Sequence, residues 1–298
     1  MKTIDPAQFY ELTLDYLYRR AATHTVKPIR EGMAVEEIER IPRLTRDDVE
    51  KYFTPALKEN IPGENGVHDI RCLFLRLCFH CQNGAFIRGV INYEKNYGII
   101  RDFTFDFNPT KFLEAYPDSE KAKQKLTKLL VIKSGRTAKV GEYAERIHSF
   151  AKFVTQFDSY DDFVATVLPY GPFAPLFVSM NTKGMQVLAY DFLKELDPRF
   201  DLCKPDKHIT EIVKALGLLD ESSTSLMDLK VSLAIGDLAK RITDKTGKKT
   251  TAYKLDKMLW LICSETFYFH DAIPNSTDEK REAYLKYILP KLGIGRIK

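Results

Sequence analysis

The chain has 298 residues, 44% hydrophobic and 29% charged, with 15 Gly and 14 Pro; this excludes disordered and fibrous classes and suits one large two-lobed domain or a core with an added segment. Lys plus Arg number 45 against 41 Asp plus Glu, a net charge of +4 that permits an anionic partner without requiring one. No unbroken run of roughly 18 apolar residues is present, Asp5 and Glu11 stand where an apolar signal segment would be, and five scattered cysteines form no disulfide framework, so the expectation is an intracellular, cytoplasmic protein away from membranes.

Helical periodicity dominates the chain. Phe9, Leu12, Leu14, Leu17 and Tyr18 recur at mostly three-to-four-residue spacing and predict a helix over Pro6 to Arg20, and Leu44 to Val49 reads as a capped helix start. Residues 1–65 are assigned to a helical amino-terminal extension and 66–298 to the main domain. Ile70 to Val90, dense in Leu, Phe and Cys, predicts a helix buried on most of its circumference. The alternation Phe103-Thr104-Phe105-Asp106-Phe107 stops at Asn108-Pro109 and is read as a loop or edge piece.

A helix over Gly141 to Phe157 is followed by Ser159, which with Asp162 three residues later forms a helix-capping pair. Pro169, Gly171 and Pro172 break that next helix. A short helix from Ala174 to Met180, the turn Asn181-Thr182-Lys183-Gly184 and a helix from Met185 to Leu196 make a helical hairpin over about 174–196. Pro205-Asp206 opens a helix that Gly217 closes. Further helices are predicted over Leu226 to Ile242 and Ala252 to Ser264. There is no repeat of fixed period.

Chemistry concentrates at two places. A tight interhelical turn ending in glycine aims backbone amides around Gly184, Met185 and Gln186 outward, which favours an anion, and Lys183 adds a positive charge. By itself such a turn is also an ordinary structural hairpin. The second place is Lys204-Pro205-Asp206-Lys207-His208, with Asp206 lying 22 residues after Gly184. Asp206 is an N-cap by position, and a capping carboxylate that stays ionised can stabilise a developing cation.

Together these features resemble the helix-hairpin-helix DNA glycosylase superfamily, which includes the endonuclease III, alkyladenine and oxoguanine glycosylases. Met180 to Gly184 takes the hairpin position, Pro205-Asp206-Lys207-His208 the aspartate position, and Cys81-Gln82-Asn83 the segment in which Gln or Asn enters the space left by a flipped nucleotide. The resemblance spans about Ile70 to His270. It implies an all-α, two-lobed fold with a central cleft, acting as a monomer on double-stranded DNA that contains a damaged or modified base.

It also implies roles. The base is turned out of the stack, Gln82 and Asn83 fill the gap, and Asp206 stabilises the oxocarbenium ion or guides water. Thr182, Lys183, Gly184, Met185, Gln186 and His208 hold the backbone, while Tyr190 and Trp260 line the base pocket. The hairpin carries one of the two usual glycines. Gln186 stands where bifunctional members have a Schiff-base lysine, so no lyase step through it is expected, and the cysteines after Asp206 cannot build an iron-sulfur loop. No cofactor or metal is required.

Tyr190 and Trp260 equally suit core positions. Cys72, Cys78, His80 and Cys81 invite a zinc reading, but only Cys78 and Cys81 share a helix face and buried cysteines behave as small hydrophobes. Lys240, Arg241, Lys245, Lys248 and Lys249 form a basic run that suits a solvated face or a DNA backbone. A catalytically inactive DNA-binding or interaction protein with the same fold, and a helical scaffold that never meets DNA, are the competing readings.

Overall fold

The computed structural model describes residues 4–23, 61, 63–64, 66–83, 87–130, 137–219, 226–265 and 277–295. Among these the fold is all-α, with no strand. The capped start at 44–49 lies outside the described residues. The chain divides into two compact units, one of residues 58–200 and one built from 1–57 together with 201–298.

The 58–200 unit is organised on two helices. Helix α2, Ile70–His80, is buried on every side from Cys72 onward. It is apolar and buried as predicted, but it ends at His80 and does not run on to Val90: a 3-10 turn, Cys81–Asn83, follows it. A bond to a residue further along the chain accompanies the stop. The Gln82 side chain folds inward and its Oε1 accepts the Tyr93 amide at 2.9 Å, and a short helix α3, Arg88–Ile91, ends at a left-handed Asn92 (φ 42°). Asn92 then caps α4, Tyr93–Phe103, through the Lys95 amide. The Phe103–Phe107 stretch is thus a helix end and a turn, where Phe105, Asp106 and Phe107 all take left-handed φ values of 54°, 57° and 56°.

Helices α5, Pro109–Ala115, and α6, Ser119–Leu129, are each started by an Asx cap, Asn108 and Asp118. They lead to α7, Thr137–Val154, whose Val140, Ile147, Phe150 and Phe153 stripe packs on α2, α5 and α6. Tyr143 Oη donates to the Cys78 carbonyl at 2.9 Å, tying α7 to α2. Arg76, 2% exposed, donates to Glu64 and, at 2.7 Å, to the Glu195 carbonyl. Such a guanidinium is tolerable inside only because its donors are met.

The Ser159 cap forms as the sequence indicates: Ser159 Oγ accepts the Asp162 amide at 3.0 Å and Asp162 returns the bond to the Asp158 amide at 3.0 Å. It opens α8, Tyr160–Val167. A 3-10 stretch, Leu168–Phe173, joins α8 to α9, Ala174–Asn181. Taken as one piece, Tyr160–Asn181 is long and apolar enough to cross a membrane by length and composition, with a mean hydropathy of 1.4. The backbone, however, breaks at Gly171 (φ 55°, ψ −125°), and Phe163, Val164, Val167, Ala174 and Val178 are buried against protein. Helix α10, Gln186–Leu196, completes the unit.

The other unit joins the two ends of the described chain. Helix α1, Pro6–Thr23, packs with α12, Met227–Thr246, α13, Ala252–Ser264, and α14, Asp278–Lys291. Phe9, Leu14 and Leu17 share one apolar cluster with Leu238, Met258 and Ile288. Each such side chain contributes about 1.5–3 kcal/mol on burial. The Thr13 and Tyr284 hydroxyls meet at 2.8 Å. Helix α11, Lys207–Ala215, sits against α12, α13 and α14, and Gly217 (φ 67°) ends it.

Candidate functional site

The hairpin turn lies between α9 and α10. Thr182 Oγ1 donates back to the Val178 carbonyl at 2.6 Å, satisfying one of the acceptors left free where α9 ends. The Lys183 amide donates to Ser149 Oγ at 2.9 Å, which fixes the turn to α7. Gly184 has φ 74°, and a Cβ there would lie 2.5 Å from Arg146 Nε. The conformation favours glycine, and a larger residue would press on Arg146. The Gly184 and Gln186 amides have no acceptor among the described residues, Gln186 is exposed, and Met185 is buried as an apolar anchor.

Arg146 joins this turn to the Cys81–Asn83 segment. Its Nη1 donates to the Cys81 carbonyl at 3.1 Å and its Nη2 to Glu142 at 2.6 Å. Lys183 is exposed, but its ammonium pairs with Glu145; the positive charge predicted for the turn is accompanied by a carboxylate. Gln82 is fully buried and engaged with Tyr93, while Asn83 is half-buried at the edge of the turn. Of the two, Asn83 has the more accessible side chain. Tyr190, 1% exposed, is part of the core.

The four zinc candidates are all buried. Burial pushes the Cys78 and Cys81 thiols well up, and Cys81 Sγ donates to the Cys78 carbonyl at 3.3 Å. His80 Nδ1 instead lies 3.5 Å from Asp191. Among the described residues no group of His, Cys, Asp or Glu is arranged to hold a metal.

In the other unit, Asp206 is the N-cap of α11. Its Oδ1 accepts the Ile209 amide at 2.9 Å; Oδ2 has no hydrogen-bond partner among the described residues. Pro205 is buried and sets the entry of the chain, as its ring fixes φ. Asp206 also faces α13: burial first, and the Asp206 charge second, push the Cys263 thiol up to about 12. Next to it, Lys207 Nζ binds Asp278 at 2.9 Å and 3.0 Å, a pairing that holds the Asp278 carboxyl below its usual range. His208 Nδ1 is 3.8 Å from the same carboxylate.

Trp260 is half-buried, packed against the apolar cluster of this unit with Lys257 Nζ 6.0 Å from its ring centre. The basic run is mixed. Arg241 donates to the Ile4 carbonyl at 3.0 Å, Lys248 pairs with Glu11 at 2.8 Å, and Lys240, Lys245 and Lys249 are exposed.

Sequence reasoning missed Glu145, Arg146 and Ser149 beneath the hairpin, because their partners lie 34 to 38 residues further along the chain or 65 residues back. It also missed Asp256, a carboxylate 2% exposed on α13. A signal for it existed: Ala252, Leu255, Asp256 and Leu259 fall on one face of an amphipathic helix, so a charge occupies a core position.

No model of a protein family and no curated protein matches the sequence. Among solved structures, the chain is similar to the crystal structure of the 8-oxoguanine DNA glycosylase of Thermotoga maritima, with 20% sequence identity and a TM-score of 0.45 over 85% of this chain and 96% of that one.

Proposed function

We propose that this protein is a monofunctional DNA glycosylase that acts as a monomer on double-stranded DNA and hydrolyses the N-glycosidic bond of a flipped, damaged or modified base. The observation that carries the reading is Asp206: a capping carboxylate with one oxygen fixed by the Ile209 amide and the other without a hydrogen-bond partner among the described residues, 22 residues in sequence after a left-handed glycine at the hairpin turn.

The chemistry is as follows. The C1′–N bond breaks, the base leaves with the bonding pair and takes up a proton, and positive charge develops on the sugar ring. Asp206 stabilises that charge and directs water, which adds at C1′ and gives up a proton. At the hairpin, the Gly184 and Gln186 amides and the Lys183 ammonium hold phosphates, on a turn that Met185 anchors and Thr182 closes; His208, beside Asp206, contacts the DNA backbone from its own unit. Asn83 fills the vacated stack and Gln82 holds the segment that presents it; Trp260, half-buried in its own unit, offers a ring on which the base stacks. Gln186 has no amine, so no Schiff base forms there and no lyase step follows.

The test is a panel of duplexes carrying altered bases, treated with alkali after incubation. Base release is expected from the wild type, and Asp206→Asn is expected to slow it by at least about 100-fold, the scale of removing one preorganised electrostatic group, with duplex binding retained. Unchanged release would remove Asp206 from the mechanism. One observation favours a second reading, a DNA-binding protein without catalysis: Glu145 neutralises Lys183 at the turn. That reading expects salt-sensitive duplex binding and no release from any member of the panel.

A further inference from the structure

The unit that carries Asp206 holds a second carboxylate whose burial has no packing rationale. Asp256 is 2% exposed on α13, between Leu255 and Met258, both fully buried in the apolar cluster. An apolar side chain would fill that place at lower cost, since a buried carboxylate needs donors to replace water. Two of its donors come from the segment leading to Asp206. Oδ1 accepts the Lys204 amide at 3.3 Å and the Cys203 thiol at 3.5 Å. A second bond runs the other way, from the Tyr253 amide in the first turn of α13 to Asp201 Oδ1 at 2.9 Å.

Residues 201–206 have no helix or ladder of their own. These bonds to α13 hold them, and the Asp206 amide then donates to the Lys204 carbonyl at 2.8 Å, closing a tight turn around the buried Pro205. A displacement at Lys204 therefore passes directly to Asp206.

We propose that Asp256 is a positioning residue for Asp206: from the core of α13 it pins Cys203 and Lys204, and so sets where the Asp206 carboxylate is presented. The inference rests on the glycosylase reading of Asp206 and adds the residue on which its placement depends. It also distinguishes Asp256 from Asp206 by role, because Asp256 is 2% exposed whereas Asp206 is only partly buried.

The test compares Asp256→Asn, Asp256→Leu and, as a core truncation on the same helix that leaves 203–206 untouched, Met258→Ala, all in the full chain. Two quantities are read: hydrogen exchange at the Lys204 and Ile209 amides, and kcat and KM for base release from the best duplex of the panel. Asp256→Leu is expected to speed exchange at Lys204 at least tenfold and to lower kcat about 100-fold, the scale of a misplacement near 1 Å, with KM within twofold. Asp256→Asn keeps an oxygen acceptor and is expected to restore both to within about threefold, as a carbonyl oxygen accepts the same bonds. Met258→Ala is expected to lower Tm without changing kcat.

Should Asp256→Leu fail to fold, Asp256→Ser, whose hydroxyl is too short to reach Lys204, takes its place with the same expectations. The proposal is overturned if Lys204 exchange is unaffected by Asp256→Leu, or if kcat falls only in proportion to Tm in all variants. A wild type that releases no base fails the glycosylase reading instead; exchange at Lys204 then still decides whether Asp256 pins the segment, and unaltered exchange overturns that as well.

Discussion

The Cys81–Asn83 segment in one unit and the approach to Asp206 in the other are both short segments outside the α-helices that accept or donate to a buried charge, and the charges have opposite signs. Beneath the hairpin, Arg146 donates to the Cys81 carbonyl. Beside Asp206, Asp256 accepts from the Lys204 amide. The sign follows from which backbone group is left over. Cys81 follows the carboxyl end of α2, where carbonyls lack partners, and a cation answers one; Lys204 lies in a stretch with no helix or ladder, and an anion answers its amide. A buried charge in either unit is thus a device for fixing chain that has no secondary structure to fix it.

Three substitutions probe the hairpin side of this comparison. Arg146→Met leaves the Cys81 carbonyl without its donor and takes from Glu142 one of two cationic partners, Lys139 remaining, and is expected to cost about 2 kcal/mol, the scale of hydrogen bonds to a charged group; denaturant titration reads it, and a loss below about 1 kcal/mol would mean that the Cys81–Asn83 segment is held by something else. Gly184→Ala is expected to cost about 1–2 kcal/mol from the left-handed backbone alone, with a further loss where the new methyl group meets Arg146. In the double variant Arg146→Met, Gly184→Ala that further loss should vanish, which a mutant cycle would show directly. Lys183→Gln comes last: stability within about 0.5 kcal/mol of wild type, as for an exposed side chain, but a salt dependence of duplex binding shallower by about one unit if Lys183 meets a phosphate. An unchanged slope would leave the ammonium to Glu145 alone.

Much of the fold was legible because the signals were local. The α13 boundaries, the Ser159 and Asp206 caps and the Gly217 stop all depend on residues within four positions of one another. Where the reading failed, a distant or competing interaction decided. Ile70 to Val90 is apolar throughout, yet α2 stops at His80 because Gln82 turns back to cap a helix 11 residues away. Helix α4 is masked by the alternation at its end, which belongs to a left-handed turn. At the candidate site, the cap and the glycine could be read from spacing; the pairing of Lys183 with Glu145 and of Asp256 with Lys204 could not, since it is fixed only when helices far apart in sequence pack.

The discontinuous make-up of the second unit has a consequence for how the protein is made. The 58–200 unit contains its own partners and is complete once Phe200 has been synthesised. Helix α1 is made before the 58–200 unit, but the surfaces it covers belong to α12, α13 and α14, so its apolar face stays unsatisfied until the last of these has emerged. Asp206 shares that delay, because α11 and the α13 carboxylate that pins its approach come from the same late stretch. During vectorial synthesis the hairpin is therefore ready well before the carboxylate is held in place.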